Sequence, residues 1–391
     1  MIYLDSASTT KPRKEVIDAV MPYMTEMWFN PSSMYGKAVE VKDAIEEARG
    51  NVACFIGANP EEIYFTSGAS ESNNWAIRGF IDKYNIQNIK PHIITTRLEH
   101  KSIINAIHNR ALNAEIHYVN NDENGLIDYR HLKQLLWYCE GKPILVSICM
   151  ANNEIGTVQD IVSISKAVHK VGGVLHVDAT QALPHIPIYV KAFGIDMLSG
   201  SGHKLGAFKG SGFLYKKNET EIEPLIYGTQ ERGSRGGTEN VIGIIGLGEA
   251  VKHVEFDSRN TRLGNYDRML NVKFYAIEKL ESKFDCKING SEEYGLSNNI
   301  NVTFPQNITG ESLLYTLDMS DICISTGSAC NSKSIEPSHV LKAIGLSDEE
   351  ATRTIRITLS KDTTYEDIDK FIYELESAIK LIESENDHDI D

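Results

Sequence analysis

The stretch that decides the fold is Ser199-Gly200-Ser201-Gly202-His203-Lys204, where a lysine directly follows a histidine in a Gly/Ser loop. A short apolar run typical of a buried strand leads into this loop, Gly194-Ile195-Asp196-Met197-Leu198. Upstream, a second buried strand that ends on a carboxylate is predicted for Gly173-Val174-Leu175-His176-Val177-Asp178. The sequence therefore places an aspartate and a lysine at the carboxyl ends of successive strands.

An aspartate and a lysine in this arrangement suit one cofactor, pyridoxal 5′-phosphate. The amine of Lys204 would form a Schiff base with it, and Asp178 would keep the pyridine nitrogen protonated so that the ring accepts electrons. Taken alone, Lys204 could be a solvated loop lysine and Asp178 a turn residue. A Walker phosphate loop is excluded, because it requires Gly-Lys-Ser/Thr and Lys204 stands between His203 and Leu205.

Composition and charge narrow the class of protein. The chain has 391 residues, of which 41% are hydrophobic and 24% charged, as in globular proteins of about two or three domains. The formal net charge of −15 disfavours direct binding to nucleic acid, which requires a basic face. No apolar run reaches the ~18 residues needed to span a membrane, and Met1-Ile2-Tyr3-Leu4-Asp5 predicts a strand rather than a signal peptide.

Cysteine usage points to a reducing, cytoplasmic setting. The six cysteines form no CxxC pair and no disulfide framework, and no metal site is predicted. Four of them lie in apolar contexts, where cysteine behaves as a small hydrophobic residue. The six are Cys54, Cys139, Cys149, Cys286, Cys323 and Cys330.

Strand-like and helical segments alternate over the first two-thirds of the chain, which predicts an α/β fold with a mainly parallel, doubly wound sheet. Ligands of such sheets bind outside the carboxyl ends of the strands, where Asp178 and Lys204 would lie. The predicted strands are 62–66, 92–96, 115–119, 144–149, 173–178, 195–199 and 212–215. The predicted helices are 38–55, a segment starting near 70, 101–112, 128–139 and 160–171.

The pattern changes near residue 255, which predicts a second, smaller α+β domain. The sequence predicts a large cofactor-binding domain over 14–254, a small domain formed by 1–13 and 255–383, and an acidic tail, 384–391, that is disordered. Within the small domain, the predicted elements are a helix near 260–282, strands at 299–304 and 353–359, and an amphipathic helix at 365–383.

A glycine turn from a strand into a helix start, Thr66-Ser67-Gly68-Ala69-Ser70, predicts a phosphate site. Backbone N–H groups and the Ser70 hydroxyl would bind the anion at the positive end of the helix dipole. A plain helix cap is the alternative. Ser201 and His203 add polar groups beside Lys204 and favour the phosphate interpretation.

Three further polar residues follow predicted strands. His100 could stack on an aromatic cofactor or transfer protons, although an ordinary helix-start histidine is the alternative. Asn153 ends another strand, with turn formation as its alternative. Gln181 lies near the same sheet edge as Asp178.

Cys330 and Arg356 are the candidate nucleophile and substrate anchor. Cys330 lies in a small, polar segment, Gly327-Ser328-Ala329-Cys330-Asn331-Ser332, which predicts an exposed and mobile thiol, with an incidental loop cysteine as the alternative. Cys323 reads as a buried strand residue. Arg356 could bind a carboxylate through two hydrogen bonds, with Arg353 as a rival and an exposed strand position as the alternative.

In this order, these segments resemble the cysteine desulfurases of the NifS/IscS type, within the class V aminotransferase group of fold type I pyridoxal-phosphate enzymes. The resemblance is close to full length. It rests on Tyr3-Leu4-Asp5, Asn30-Pro31-Ser32-Ser33, Phe65-Thr66-Ser67-Gly68-Ala69, Glu99-His100-Lys101, Asn152-Asn153-Glu154-Ile155-Gly156, His176-Val177-Asp178-Ala179-Thr180-Gln181, the Ser199–Lys204 loop, Arg235-Gly236-Gly237-Thr238 and Ser325-Thr326-Gly327-Ser328-Ala329-Cys330.

The resemblance implies a role for each residue. Lys204 binds the cofactor covalently, Asp178 pairs with the pyridine nitrogen, Gln181 contacts the ring hydroxyl and His100 stacks on the ring. Cys330 takes the substrate sulfur. Ser70, Ser201 and His203 bind the cofactor phosphate, joined by Thr238 of the partner subunit. Ala69 and Asn153 also contact the cofactor, and Asn153 and Arg356 bind the substrate.

The resemblance also implies a reaction: L-cysteine gives L-alanine and a Cys330 persulfide, in a cytoplasmic homodimer that passes sulfur to an acceptor protein. A selenocysteine lyase and a non-catalytic pyridoxal-phosphate or persulfide scaffold are the alternatives. Tyr35, Ser6 and Ser8 depart from the family pattern near the site entrance. The C-terminus lacks the apolar, aromatic ending that housekeeping members use for their scaffold, which leaves iron–sulfur assembly, tRNA thiolation, DNA sulfur modification and cofactor synthesis open.

Overall fold

The computed structural model describes residues 1–254, 265–305, 308–326 and 337–388. Its strands are β1 (Ile2–Tyr3), β2 (Ile63–Thr66), β3 (His92–Thr96), β4 (Glu115–Val119), β5 (Ile144–Cys149), β6 (Val174–Asp178), β7 (Met197–Ser201), β8 (Gly212–Lys216), β9 (Lys287–Asn289), β10 (Asn299–Thr303), β11 (Ile322–Cys323), β12 (Ser325–Thr326) and β13 (Thr354–Thr358). Its helices are α1 (Lys14–Thr25), α2 (Gly36–Ile56), α3 (Ala69–Ile86), α4 (Lys101–His108), α5 (Tyr129–Tyr138), α6 (Ile161–Lys170), α7 (Val190–Phe193), α8 (Val241–Ala250), α9 (Asn265–Lys283), α10 (Gly310–Asp318), α11 (His339–Ala343), α12 (Asp348–Thr352) and α13 (Tyr365–His388).

A seven-stranded sheet in the order β2-β8-β7-β6-β5-β3-β4 forms the centre of the molecule. Strands β3 to β7 pair in parallel, whereas β8 runs antiparallel to both β7 and β2. The register brings Cys149, Asp178 and Ser199 side by side near the carboxyl ends of β5, β6 and β7. The mainly parallel α/β sheet predicted from the alternating pattern is therefore confirmed.

The five inner strands of the sheet are almost wholly buried, whereas the outer strand β4 is largely half-buried; the most apolar strand is β5, Ile144–Cys149. Alternate residues of one strand point to opposite faces. Leu145 belongs to a hydrophobic cluster with Trp75 and Phe80 of α3, whereas Val146 belongs to a larger cluster with Ile45 of α2. Helices on both sides thus hold the carboxyl ends of the parallel strands in fixed positions.

A second sheet, in the order β12-β13-β10-β9, is antiparallel and packs under α9, α10 and α13. The N-terminal segment joins it, because β1 pairs with β11 and Asp5 bridges Thr358. Ile2 and Leu4 lie in the same hydrophobic cluster as Phe371 of α13. The exact domain limits given above stay a prediction.

Some local expectations are wrong. Helix α13 continues to His388, so residues 384–388 of the predicted disordered tail are helical. Among the cysteines, Cys139 and Cys149 are buried, Cys286 and Cys323 are half-buried and Cys54 is exposed. Cys323 is therefore less buried than its apolar neighbours predict. Within the described residues, no helix has the length and apolarity to cross a membrane.

Candidate active site

Lys204 leaves the sheet directly after β7, on one turn of 3-10 helix formed by Gly202–Lys204. Its Nζ donates hydrogen bonds to the backbone oxygens of Ala7 at 2.5 Å and Ser8 at 2.6 Å. Burial lowers the pKa of Lys204 to about 8, assisted by the charge of Arg356 and opposed by Asp5 and Asp178. A larger share of this amine is therefore neutral, and nucleophilic, than in an exposed lysine.

Asp178 is the last residue of β6 and is buried. Its Oδ2 accepts a hydrogen bond from Asn73 Nδ2 at 2.7 Å, and its Oδ1 accepts one from the backbone N–H of Thr180 at 3.0 Å. Each carboxylate oxygen has a second acceptor position. The side chain is thus oriented by α3 and by its own turn, and it can still accept a proton donor from a ligand.

A hydrogen-bonded chain links Asp178 to His100. Asn73 Nδ2 also donates to Ser102 Oγ at 2.9 Å, and Ser102 Oγ lies 2.8 Å from His100 Nδ1. The backbone N–H of Ser102 donates to the same Nδ1, so a neutral His100 carries its proton on Nε2. Desolvation lowers the pKa of His100, which favours this neutral form. Sequence reasoning missed Asn73 and Ser102.

The start of α3 forms a cradle beside β7 and β8. Gly68 caps the helix with φ of 152°, a conformation that favours glycine. If Gly212 of β8 carried a Cβ atom, that atom would lie only 2.5 Å from Gly68 Cα. The turn at Gly68 therefore packs directly against the backbone of β8. A Cβ on Gly68 would lie 3.7 Å from Ser201 Oγ. Ala69 and Ser70 open the helix here, where first-turn N–H groups lack intrahelical acceptors and attract anions.

The N-terminal segment closes one side of the site. Gln181 Nε2 donates to the backbone oxygen of Ala7 at 2.9 Å, the same oxygen that accepts from Lys204. His203 Nδ1 lies 3.2 Å from Thr9 Oγ1, and burial lowers the pKa of His203 to about 4. A cavity of about 770 Å³ opens beside Lys204, and its lining includes Ser6, Thr9, Thr10, Gln181, Leu205 and Ser360.

Arg356 is buried in β13 and faces the same N-terminal segment. Its Nη2 donates to Asp5 Oδ1 at 2.7 Å and to Ser8 Oγ at 2.8 Å. Its Nη1 donates to the backbone oxygen of Asn153 at 2.9 Å. The buried Nε–H has no acceptor among the described residues. Arg356 is therefore held rigidly by three of its five N–H groups, and the Nε–H and one Nη1–H are left for a ligand.

Arg353, the rival anchor, lies elsewhere. Its guanidinium donates to the backbone oxygens of Pro305 at 2.7 Å and Glu349 at 3.2 Å. Ser8, by contrast, joins the two cationic groups of the site, because its backbone oxygen binds Lys204 and its hydroxyl binds Arg356. This link was not predicted.

Two predicted residues are not joined to the site by the described contacts. Thr238 is exposed in the loop before α8, where the neighbouring Arg235 binds Glu71 at 2.8 Å. Cys330 lies outside the described residues. The described segment that precedes Cys330 ends at Thr326. Its neighbour Ser325, in β12, pairs with Arg356 of β13.

Comparison with known proteins gives consistent matches. The model of the class-V aminotransferase family matches residues 2–371. A cysteine desulfurase, IscS, from Dictyoglomus turgidum is 42% identical over 386 residues, which cover 97% of this chain and 95% of that protein. Among solved structures, a NifS-like protein gives a TM-score of 0.88 at 31% identity, covering 97% of this chain and 99% of the other. A structure of SspA in complex with cysteine gives 0.79 at 36% identity, covering 93% and 100%.

These matches confirm both the resemblance and the fold type I architecture that the sequence predicts.

Proposed function

The chain belongs to the class-V aminotransferase family, and we propose that it is a pyridoxal-phosphate-dependent cysteine desulfurase. It removes sulfur from L-cysteine and leaves L-alanine and a persulfide on Cys330. The observation that carries the proposal is the desolvated amine of Lys204, with its pKa lowered to about 8, at the end of the strand that pairs with the strand of Asp178. The desulfurase relatives and the neighbour in complex with cysteine support the substrate.

The described residues fit pyridoxal 5′-phosphate. A partly neutral amine at Lys204 can bond to its aldehyde, and the free acceptor positions of Asp178 suit a protonated pyridine nitrogen. The Gly68 turn offers its phosphate a helix start. We assign His100 to the ring face, Gln181 to the ring hydroxyl, and Ala69, Ser70, Ser201 and His203 to the phosphate, with Asn153 at the substrate side.

When bound, the cofactor supplies an electron sink for negative charge at the substrate Cα. Lys204 Nζ then takes the α-proton, and the neutral ring of His100 assists proton movement. Arg356 holds the substrate carboxylate through its free Nε–H. The Cys330 thiolate attacks the substrate sulfur, so that an S–S bond forms as the C–S bond breaks and a proton replaces sulfur on Cβ. No external reductant is needed to form the persulfide.

The test is turnover of the purified enzyme with L-cysteine and L-selenocysteine. We expect alanine from cysteine, and sulfide in equal amount once a thiol reductant is present. Turnover of selenocysteine alone would identify a selenocysteine lyase instead. Bound cofactor without alanine from either substrate would identify a non-catalytic scaffold.

The lowered pKa of Lys204 predicts how cofactor capture depends on pH. Only the neutral amine is a nucleophile, and with a pKa of about 8 roughly one tenth of Lys204 is neutral at pH 7. The capture rate of the cofactor-free protein should therefore rise about tenfold from pH 6 to 7 and level off above pH 8. Stopped-flow absorbance measures this rate. A rise that continues unchanged to pH 10 would contradict the lowered pKa.

Arg356→Ala should raise KM for cysteine and leave the bound cofactor in place. Losing a buried charged contact costs about 2–4 kcal/mol, or about 30- to 700-fold in binding. Arg356→Lys should rescue only part of this loss, because an ammonium cannot reproduce the planar fork. Steady-state kinetics and cofactor absorbance give both quantities.

Arg353→Ala is the matched control, since its guanidinium binds Pro305 and Glu349 rather than the N-terminal segment. If KM rises in this control and stays normal in Arg356→Ala, Arg353 is the anchor.

We also propose that the enzyme is a homodimer in which Thr238 completes the phosphate site of the neighbouring chain. Thr238 is exposed and follows Arg235, which is tied to the first turn of α3 by Glu71. Mixed dimers of Lys204→Ala and Thr238→Ala chains should then contain one intact site of the two. Cofactor titration of tagged, purified mixed dimers tests this. No gain over the parent variants would place Thr238 in its own chain's site, and a fully active monomer would end the proposal.

The sulfur acceptor that we propose is a protein thiol in a reducing cytoplasm. The net charge of −15 opposes close approach to a phosphate backbone, so delivery to RNA or DNA would need an intermediary protein. Direct transfer of labelled sulfur from the purified enzyme to tRNA or DNA would refute this acceptor class.

A further inference from the structure

A cluster of two histidines and a cysteine lies at the amino-terminal edge of the central sheet. His92 Nδ1 is 2.9 Å from His117 Nε2 and 3.4 Å from Cys139 Sγ. The carboxylate of Glu115 reaches to 3.7 Å from the same Nδ1. All ligand atoms of the two histidines and the cysteine lie within 4.8 Å of one another. Three potential metal ligands thus lie close together, and the carboxylate of Glu115 lies beside one of them.

Strand register explains the convergence. His92 and Glu115 are direct partners at the start of β3 and β4, and His117 follows two residues later, so the three side chains lie on one face of the sheet. Cys139 caps the carboxyl end of α5, which packs against β4 on this face. Three separate elements therefore contribute to the cluster.

The cluster is separate from the candidate active site. His92 is the first residue of β3, whereas His100 follows the opposite end of that strand. Five residues at about 3.3 Å per residue place the two ends about 13 Å apart along the strand. None of the four ligand groups is used by the proposed reaction.

We propose that His92, His117, Cys139 and Glu115 bind one zinc ion. Tetrahedral zinc, with bonds of about 2.0–2.1 Å to nitrogen and 2.3 Å to sulfur, requires ligand atoms about 3.3–3.6 Å apart. The separation of 3.4 Å between His92 Nδ1 and Cys139 Sγ lies in this range. The 2.9 Å between the two histidine nitrogens is shorter and the 3.7 Å to Glu115 is longer, so these side chains would shift by a few tenths of an ångström on binding the ion. Two imidazoles, a thiolate and a carboxylate are ligands that zinc prefers.

The ligand chemistry suits zinc, because each neutral imidazole offers the lone pair of one ring nitrogen. Cys139 is fully buried, and its thiol would release its proton to solvent on binding the ion. The charge of the zinc ion would then be balanced by the thiolate and by Glu115.

A bound ion would stabilise the outer edge of the central sheet. β4 is the outer strand next to β3, and its other edge has no strand partner among the described residues. Cross-linking β4 to β3 and α5 would stabilise this edge against opening, because a ligand that binds only the folded state raises its stability. The alternative is a hydrogen bond between two neutral imidazoles, which needs no metal.

The test uses the full-length enzyme with its cofactor. After chelation, zinc is added back under a phosphine reductant, excess is removed, and bound zinc is measured by mass spectrometry. We expect about one zinc ion per chain, a higher melting temperature, and thiolate-to-metal charge transfer when cobalt replaces zinc. Replacing a residue that only hydrogen-bonds to a metal ligand costs about 10- to 100-fold in metal affinity. Cys139→Ser and His117→Asn remove a ligand itself, so each should weaken zinc affinity by more than that.

Cys54→Ser is the matched control, because Cys54 is an exposed thiol away from the cluster, and it should bind zinc as the wild type does. Glu115→Gln changes a partly exposed side chain and should weaken zinc binding without disturbing the fold. Cofactor absorbance reports whether each variant is folded. Wild-type protein that retains no zinc, or Cys139→Ser and Glu115→Gln proteins that bind it as tightly as the wild type, would overturn the proposal.

Discussion

Lys204→Ala protein is expected to lose its yellow colour and its desulfurase activity together. Lys204 is the only lysine that we place at the cofactor, and in the proposed reaction its amine is both the covalent attachment and the group that moves the α-proton. Loss of a positioned acid–base group alone costs about 10²- to 10⁴-fold in rate, and loss of attachment adds to that. Absorbance of the purified protein and alanine production measure the two effects.

Borohydride reduction of the wild type identifies the attachment point directly. We expect the cofactor to be fixed to the peptide that contains Lys204, as seen by mass spectrometry. Lys209→Ala is the matched control, because Lys209 is an exposed lysine in the segment that follows Lys204. Fixation of the cofactor to any other lysine, or a colourless Lys209→Ala protein beside a yellow Lys204→Ala protein, would show that we chose the wrong lysine.

The parallel sheet could be predicted from sequence because each of its strands is marked by a short, local sequence pattern. β3, β5 and β7 are buried along their whole length, and each contains a short apolar run, Ile93-Ile94, Ile144-Leu145-Val146 and Met197-Leu198. Polar residues that end such runs are then placed at one edge by the parallel topology alone. This is why Asp178 and Lys204 could be assigned together.

Contacts between distant parts of the chain could not be predicted in this way. Arg356 binds Asp5 across 351 positions, and the pairing depends on how the second sheet docks against the N-terminal segment. Asn73 is a buried polar residue within a helix, and only the packing of α3 on β6 shows that it connects Asp178 with Ser102. The sequence offers no local signal for either link.

The proposed zinc cluster could not be predicted from sequence for the same reason. His92, His117 and Cys139 have no metal-motif spacing, and Cys139 follows an amphipathic helix, where a cysteine reads as a small hydrophobic residue. Their convergence depends on the register of β3 against β4. One residue of slip would send His117 to the other face of the sheet.

Cys330→Ser is expected to separate cofactor chemistry from sulfur release. In the proposed reaction, cofactor binding and α-proton removal use Lys204 and Asp178 and need no thiol, so the variant should stay yellow and change its absorbance when cysteine is added. Alanine production should fall by at least about 10³-fold, because a serine hydroxyl at neutral pH is a far weaker nucleophile towards sulfur than a thiolate.

Mass spectrometry after brief exposure of the wild type to cysteine should find one extra sulfur on the peptide that contains Cys330. Cys323→Ser is the matched control: Cys323 is half-buried in β11, and desolvation raises its pKa, so its thiol is a poor nucleophile. This control should form alanine at the wild-type rate. Near-normal alanine from Cys330→Ser without added reductant, together with a loss in Cys323→Ser, would instead make Cys323 the sulfur acceptor.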